Sequence, residues 1–240
     1  DDSAVVRQAL AQDEFELHYQ PQVGPDGTVV GAEALLRWTH ATRGPVSPVE
    51  FIAVAEQCGL ILDIGQWVLE TACTQLRQWA SDPLSLALTL AVNVSVHQFR
   101  QADFVDLVMD ALRQAGADPR QLKLEITESM FAQDLEDIIG KMVALKAQGV
   151  GFSMDDFGTG YSSLSYLKRL PLDQLKIDQS FVANLVGDAD ARTLVAAITH
   201  LAHDLGGSGA DGVQWRGRWI DILAGGLTGR TSRPEPVGAA

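Results

Sequence analysis

Apolar and polar residues alternate with a period of two from Phe15 to Val23 and again from Val29 to Trp38, as half-buried strands do. Pro25-Asp26-Gly27 lies between the two runs and predicts the turn of a hairpin. Residues 3–12, ahead of it, predict a short helix. Ser47-Pro48-Val49-Glu50 has the capping-box spacing, with proline at the first helical position, and predicts a helix through Gln57 that Gly59 ends. A longer helix is predicted from Asp63 to Ala80, with Ile64, Trp67, Val68, Thr71 and Leu76 on one face.

From Leu84 onward strand and helix alternate. Leu84 to Val94 is rich enough in Leu and Val to predict a strand buried on both faces. Helix 103–115, strand 121–126, helix 134–148, strand 150–155, a short helix 162–169, strand 173–177 and helix 188–205 follow. Such alternation predicts a parallel sheet. Asn93, Glu125, Asp155 and Lys176 each stand at the C-terminal end of a strand, and in a βα-barrel those ends converge on one mouth. The fold class is therefore read as α/β, a modified TIM-type (β/α) barrel. An open doubly wound sheet is the alternative, and no GxGxxG follows a strand to favour it.

Composition narrows the chemistry. The 240 residues are 46% hydrophobic and 20% charged, which fits one ordinary globular domain. A net charge of −13 argues against DNA held by a basic surface. A phosphate ester on so acidic a chain implies divalent cations to neutralise the carboxylates around it. No apolar run reaches the roughly 18 residues that span a bilayer, and the first residues have no signal-peptide pattern. The chain is expected to be cytoplasmic, with no membrane segment, and part of something longer. Cys58 and Cys73 lack CxxC spacing and are expected to be buried free thiols.

Glu33, Asn93, Glu125 and the adjacent Asp155 and Asp156 form the chemical signal. A single carboxylate of this kind is ordinarily a surface charge. Several at the ends of apolar strands are costly to desolvate alone, and a shared cation explains them. Oxygen ligands without His or Cys suit magnesium or manganese and disfavour zinc. The Asp155-Asp156 pair can serve two ions, which together activate a water and stabilise the leaving oxygen of a phosphodiester. Lys176 can orient that water or balance charge; a solvated strand-end lysine is the other reading. Arg37, four residues after Glu33 on the same strand, faces the same side and can grip a phosphate, and Gln20 can hydrogen-bond from the neighbouring strand. His200 and His203 have no third ligand nearby and are expected to be ordinary core or surface histidines.

Glu33-Ala34-Leu35-Leu36-Arg37-Trp38 resembles the signature that names the EAL domains. With it come Tyr19-Gln20-Pro21, Asn93-Val94-Ser95, Leu124-Glu125-Ile126-Thr127-Glu128-Ser129, Asp155-Asp156-Phe157-Gly158-Thr159-Gly160-Tyr161-Ser162-Ser163 and Leu175-Lys176-Ile177-Asp178. These motifs stand in the family's order from residue 10 to about 205. The resemblance implies hydrolysis of cyclic di-GMP to linear pGpG with Mg2+ or Mn2+, two ions. By position, Glu33, Asn93, Glu125, Asp155 and Asp156 would hold the metals, and Lys176 would contact the catalytic water. Gln20 and Arg37 would touch substrate, with Ser47 to Glu56 forming part of a guanine pocket. Glu128 would hold the loop after Asp155 that couples the site to a homodimer. An N-terminal sensory or GGDEF domain would complete the full protein.

The pattern breaks near the end. Where the family has a strand ending in A-E-G-V-E, this chain has Ala210-Asp211-Gly212-Val213-Gln214, preceded by Gly206, Gly207, Ser208 and Gly209. Nine of the 22 glycines fall in residues 206–240, and Trp219 to Ala224 is the one strand-like run there. The domain is accordingly divided into a barrel over 1–205 and a divergent Gly-rich segment over 206–240. Asp211 is the candidate to replace the missing glutamate. Three outcomes stay open: an active phosphodiesterase, a receptor that binds cyclic di-GMP without cleaving it, or a dimerisation module.

Overall fold

The structure is a computed structural model that describes residues 2–24, 26–132, 134–157, 167, 169–177, 193, 212–215, 218–223 and 226–227. Helix α1 (Asp2–Ala11) leads into the hairpin of β1 (Phe15–Val23) and β2 (Val29–His40), which pair antiparallel with Gln20 opposite Glu33. A short strand β3 (Gly44–Val46), not expected from the sequence, folds back on the end of β2. Helices α2 (Pro48–Gln57) and α3 (Ile61–Trp79) follow, separated at Gly59, whose φ of +78° is open to glycine at no steric cost. Then come β4 (Thr89–Asn93), α4 (Val96–Phe99), α5 (Phe104–Ala115), β5 (Leu122–Thr127), α6 (Leu135–Ala147), β6 (Gly151–Phe157) and β7 (Gln174–Ile177). Strands β2, β4, β5, β6 and β7 are neighbours in that order and all parallel.

Each strand turns one face to the helices and one to the inside of the curve. The outer residues, Ala32, Ala34 and Trp38 of β2, Leu90 and Val92 of β4, Leu122, Leu124 and Ile126 of β5, and Phe152 and Met154 of β6, are buried in one core with α1 to α6. The inner residues are of another kind. Register places Gln20, Gln22, Gly31, Glu33, Thr89, Ala91, Asn93, Lys123, Glu125, Thr127, Gly151, Ser153, Asp155, Gln174 and Lys176 on that side. A TIM-type barrel usually fills its interior with branched aliphatic side chains; this one lines it with polar and small ones. At Gly31 a Cβ would stand 2.5 Å from the Thr89 carbonyl oxygen, so the absent side chain lets β2 and β4 pair there.

Several expectations are corrected. Leu84 to Leu88 are not strand: Asp82 draws the backbone into turns, accepting from the Leu84 N–H at 3.1 Å, and Leu84 and Leu86 are exposed. The strand that remains, β4, buries Leu90 and Val92 against the helices and Ala91 on the inner side, so its middle is buried on both faces as expected. Ser47 precedes α2 as predicted but its side chain makes no capping hydrogen bond, and Glu50 pairs with Arg43 at 3.3 Å instead of returning to the cap. Cys73 is buried, its thiol pushed up to about 12 chiefly by burial, whereas Cys58 is exposed just after α2.

The strands β8 (Gly212–Trp215), β9 (Arg218–Leu223) and β10 (Gly226–Leu227) form a separate antiparallel sheet, of which only β9 was foreseen. Strand β8 lies beside β7 and β9 beside β1, but among the described residues no hydrogen-bonded pairing closes the barrel. Helices 162–169 and 188–205 rest almost entirely outside the described residues, as do Asp211, His200 and His203. No helix among the described residues is long and apolar enough to cross a membrane.

Candidate active site

Asn93, Glu125, Asp155 and Lys176 reach one mouth because they lie at or near the ends of parallel strands in register, Asn93 beside Glu125 and Thr127 beside Asp155. Glu33, expected at a strand end, stands instead within β2 beside Ala91 and joins them because β2 runs on past the mouth to His40. Asn93 Nδ2 donates to Glu33 Oε1 at 2.9 Å. Lys176 Nζ donates to Glu33 Oε2 at 2.9 Å, sits 2.5 Å from Glu125 Oε1 and is 3.8 Å from Asp155 Oδ2. The contact with Glu125 Oε1 is a close, charge-assisted ion pair, and among the described residues Glu125 Oε2 is buried with no hydrogen-bond donor.

Burial decides the electrostatics. Glu125 is 1% exposed, and desolvation pushes its carboxyl up to about 7; Lys176 opposes that shift, while Glu33 and Asp155 add to it. Burial pulls the Lys176 ammonium down, but the charges of Glu125, Glu33 and Asp155 outweigh it and hold the group above the ordinary lysine value. Lys123, two residues before Glu125, is lowered by burial, with Glu125 and Asp173 opposing.

Carboxylate oxygens of Glu33, Glu125 and Asp155 lie within 4.8 Å of one another. Among the described residues one ammonium lies against three carboxylates, which leaves an excess of negative charge, and Glu125 Oε2 is buried with no donor. An all-oxygen set of this kind fits a hard divalent cation, which would satisfy the orphaned oxygen and the excess charge together. Asp156 follows Asp155 at the end of β6; its side chain is outside the described residues.

The remaining candidates lie around this centre. Gln20 is opposite Glu33 on β1. Arg37 is half-buried further along β2, and its Nη1 donates to the Leu36 carbonyl at 2.9 Å. Glu128, 8% exposed, begins the 3-10 turn Glu128–Ala132 directly after β5, while the loop assigned to it, 158–163, is outside the described residues. Lys123, Ser153, Gln174 and Gln22 were not singled out from the sequence. Alternation in Leu122-Lys123-Leu124-Glu125 carries the signal for Lys123, since every second residue of β5 shares the Glu125 face.

The family model for the EAL domain matches residues 3–213. The chain belongs to the EAL domain family. Its EAL relatives include the bifunctional diguanylate cyclase/cyclic di-GMP phosphodiesterase MucR of Pseudomonas aeruginosa, 47% identical over 201 residues, 83% of this chain and 29% of MucR. Another is the cyclic di-GMP phosphodiesterase NbdA of the same organism, 43% identical over 205 residues, 83% of this chain and 26% of NbdA. A solved structure of the PaMucR phosphodiesterase in a c-di-GMP complex superposes with a TM-score of 0.81 at 45% identity, covering 85% of this chain and 83% of that one. This EAL chain thus spans less than a third of these two relatives' own length, and its fold is the TIM-like barrel of its structural neighbours.

Proposed function

We propose that this EAL domain hydrolyses cyclic di-GMP to linear pGpG in a divalent-metal-dependent reaction serving bacterial second-messenger signalling. The observation that carries the reading is the buried Glu125 carboxylate, paired through one oxygen with Lys176 and without a donor at the other among the described residues, grouped with Glu33 and Asp155 on a chain 47% identical to a relative named for this activity. Glu33, Asn93, Glu125, Asp155 and Asp156 would hold Mg2+ or Mn2+, two ions. When bound, they would activate the attacking water and neutralise charge on the phosphodiester.

Forming pGpG leaves the phosphate on the 5′ oxygen, so water adds to phosphorus and the bond to the 3′ oxygen breaks, that oxygen taking up a proton. Lys176, held in its charged form by three carboxylates, orients the water and offsets developing negative charge. Arg37 and Gln20 face the same mouth and bind phosphate or base. Glu128 fixes the loop after Asp155, and through it the site communicates with a homodimer partner. The greater length of the relatives supports further domains, sensory or GGDEF, in the full protein.

A second reading has its own observation. The sequence offers Asp211 and Gln214 where the family pattern has glutamates, and β8 begins immediately after Asp211 in an antiparallel sheet. A domain that binds cyclic di-GMP without cleaving it would tolerate that change. The deciding experiment incubates the chain with cyclic di-GMP and Mg2+ or Mn2+, resolves pGpG by chromatography, and measures equilibrium binding in parallel. Metal-dependent pGpG that disappears in Glu33→Ala supports the phosphodiesterase. Binding without pGpG establishes the receptor, and neither signal removes both readings.

A further inference from the structure

Beneath the carboxylates, the inner face of the sheet holds a second polar pair. Lys123 precedes Glu125 by two residues on β5, and Gln174 precedes Lys176 by two on β7, so both point to the same side as the residues above them. Lys123 Nζ donates to Gln174 Oε1 at 2.8 Å. Strand β6 runs between β5 and β7, and Gly151 stands in register with Lys123 there. A Cβ at Gly151 would meet Asp173 Oδ2 at 3.3 Å and Lys123 Cγ at 3.6 Å, so the lysine stem passes directly beside this position.

An ammonium away from water is ordinarily matched by a carboxylate. Here the half-buried ammonium donates to a neutral amide, and Glu125 and Asp173 act on it through their charge. The nearby Asp173 is already engaged, accepting from the Phe152 N–H at 2.8 Å and pairing with Lys146. The contact does join the two strands that carry Glu125 and Lys176. Carboxylates as close as those of Glu33, Glu125 and Asp155 repel one another, and among the described residues Glu125 is held only through Oε1 by Lys176, so its direction depends on where β7 places that lysine.

We propose that Lys123 and Gln174 form a brace that positions Glu125 and Lys176 for divalent-metal binding, acting through strand register and not by touching metal or substrate. The proposal rests on the reading of the carboxylate cluster as a metal centre. Charge and positioning predict opposite signs. Removing a positive charge near three carboxylates would by itself tighten cation binding. Loss of the brace weakens it, by roughly 10- to 100-fold as for other residues that support metal ligands.

The test uses the full chain and Mn2+ alone, with bound ion read from the fall in the free-ion paramagnetic resonance signal. Variants are Lys123→Met, Gln174→Leu, their combination, and Lys141→Met. Lys141 is a buried lysine on α6 that donates to the Phe99 carbonyl at 3.2 Å and serves as the control for general destabilisation. Both single variants should weaken Mn2+ binding, the double no further than the weaker single, and Lys141→Met should leave it unchanged. Tighter or unchanged binding in Lys123→Met, unchanged binding in Gln174→Leu, or equal weakening in Lys141→Met overturns the brace. If Lys123→Met does not fold, Gln174→Leu decides, because it changes no charge. Absence of Mn2+ binding by the unaltered chain removes the metal reading itself and the brace with it, whereas binding that is indifferent to Gln174 removes the brace alone.

Discussion

Glu125 sits at the end of an apolar strand beside Glu33 and Asp155, and its carboxyl is pushed up to about 7, first by burial. A carboxyl whose folded value exceeds its unfolded value near 4.5 keeps its proton longer in the native state, so native stability falls as pH rises from about 4.5 to about 7. The metal-free chain should lose stability on the order of a few kcal/mol across that window from this group, and Glu125→Gln should flatten the dependence. Urea denaturation in chelator at several pH values checks it; equal slopes in both proteins would disprove the assignment. Metal competes with the same proton: below about pH 7 binding should release one and weaken as pH falls. Arg37 belongs to a different role, and Arg37→Ala should weaken cyclic di-GMP binding about tenfold or more while leaving Mn2+ affinity unchanged. Calorimetry with each ligand separates the two, and parallel losses would make Arg37 structural.

Among the elements, two serines that look alike in sequence act differently. Ser95 caps α4, its side chain accepting from the Gln98 N–H at 3.1 Å, whereas Ser47 at the start of α2 makes no such bond. Ser95→Ala should cost ~1 kcal/mol and Ser47→Ala less than ~0.5 kcal/mol in chemical denaturation. A larger effect at Ser47 would show that a cap absent from this geometry matters. Ser95 also follows Asn93 by two residues, so its loss should reach the site through the β4–α4 connection. The strand beginning at Thr89 and not Leu84 follows from the same competition: the Asp82 side chain offers the backbone a turn that the apolar run alone does not reveal.

At the level of the whole molecule, the parallel strands place their apolar residues outward and their polar residues inward, and among the described residues the sheet has β1 and β7 as its edges. The described residues of the C-terminal segment form an antiparallel meander beside those edges. Replacing residues 206–240 by a segment with an apolar strand ending in A-E-G-V-E, then Q-G-Y, should therefore raise turnover at least about tenfold, since a displacement near 1 Å at a reacting centre costs roughly a hundredfold. It should also raise the melting temperature by pairing the open edges. Turnover unchanged by the replacement would show that the existing tail already completes the site.

Sequence alone determined the alternation of strands and helices, the chain's family resemblance and the residues that end each strand, because these rest on local periodicity and on motifs contiguous in the chain. Asn93, Glu125, Asp155 and Lys176 were legible as strand-end polar groups for that reason, and Glu33 through the motif it begins. Only the tertiary structure decided that Lys176 lies between Glu33 and Glu125, that Glu125 is buried, and that Lys123 reaches Gln174. These are facts of register between strands far apart in sequence, and residue pairs separated by 143 and 51 positions have no local pattern to announce them. The polar lining of the barrel belongs to the same class. Period two shows that each strand has two faces; which one turns inward is fixed only when the helices cover the other.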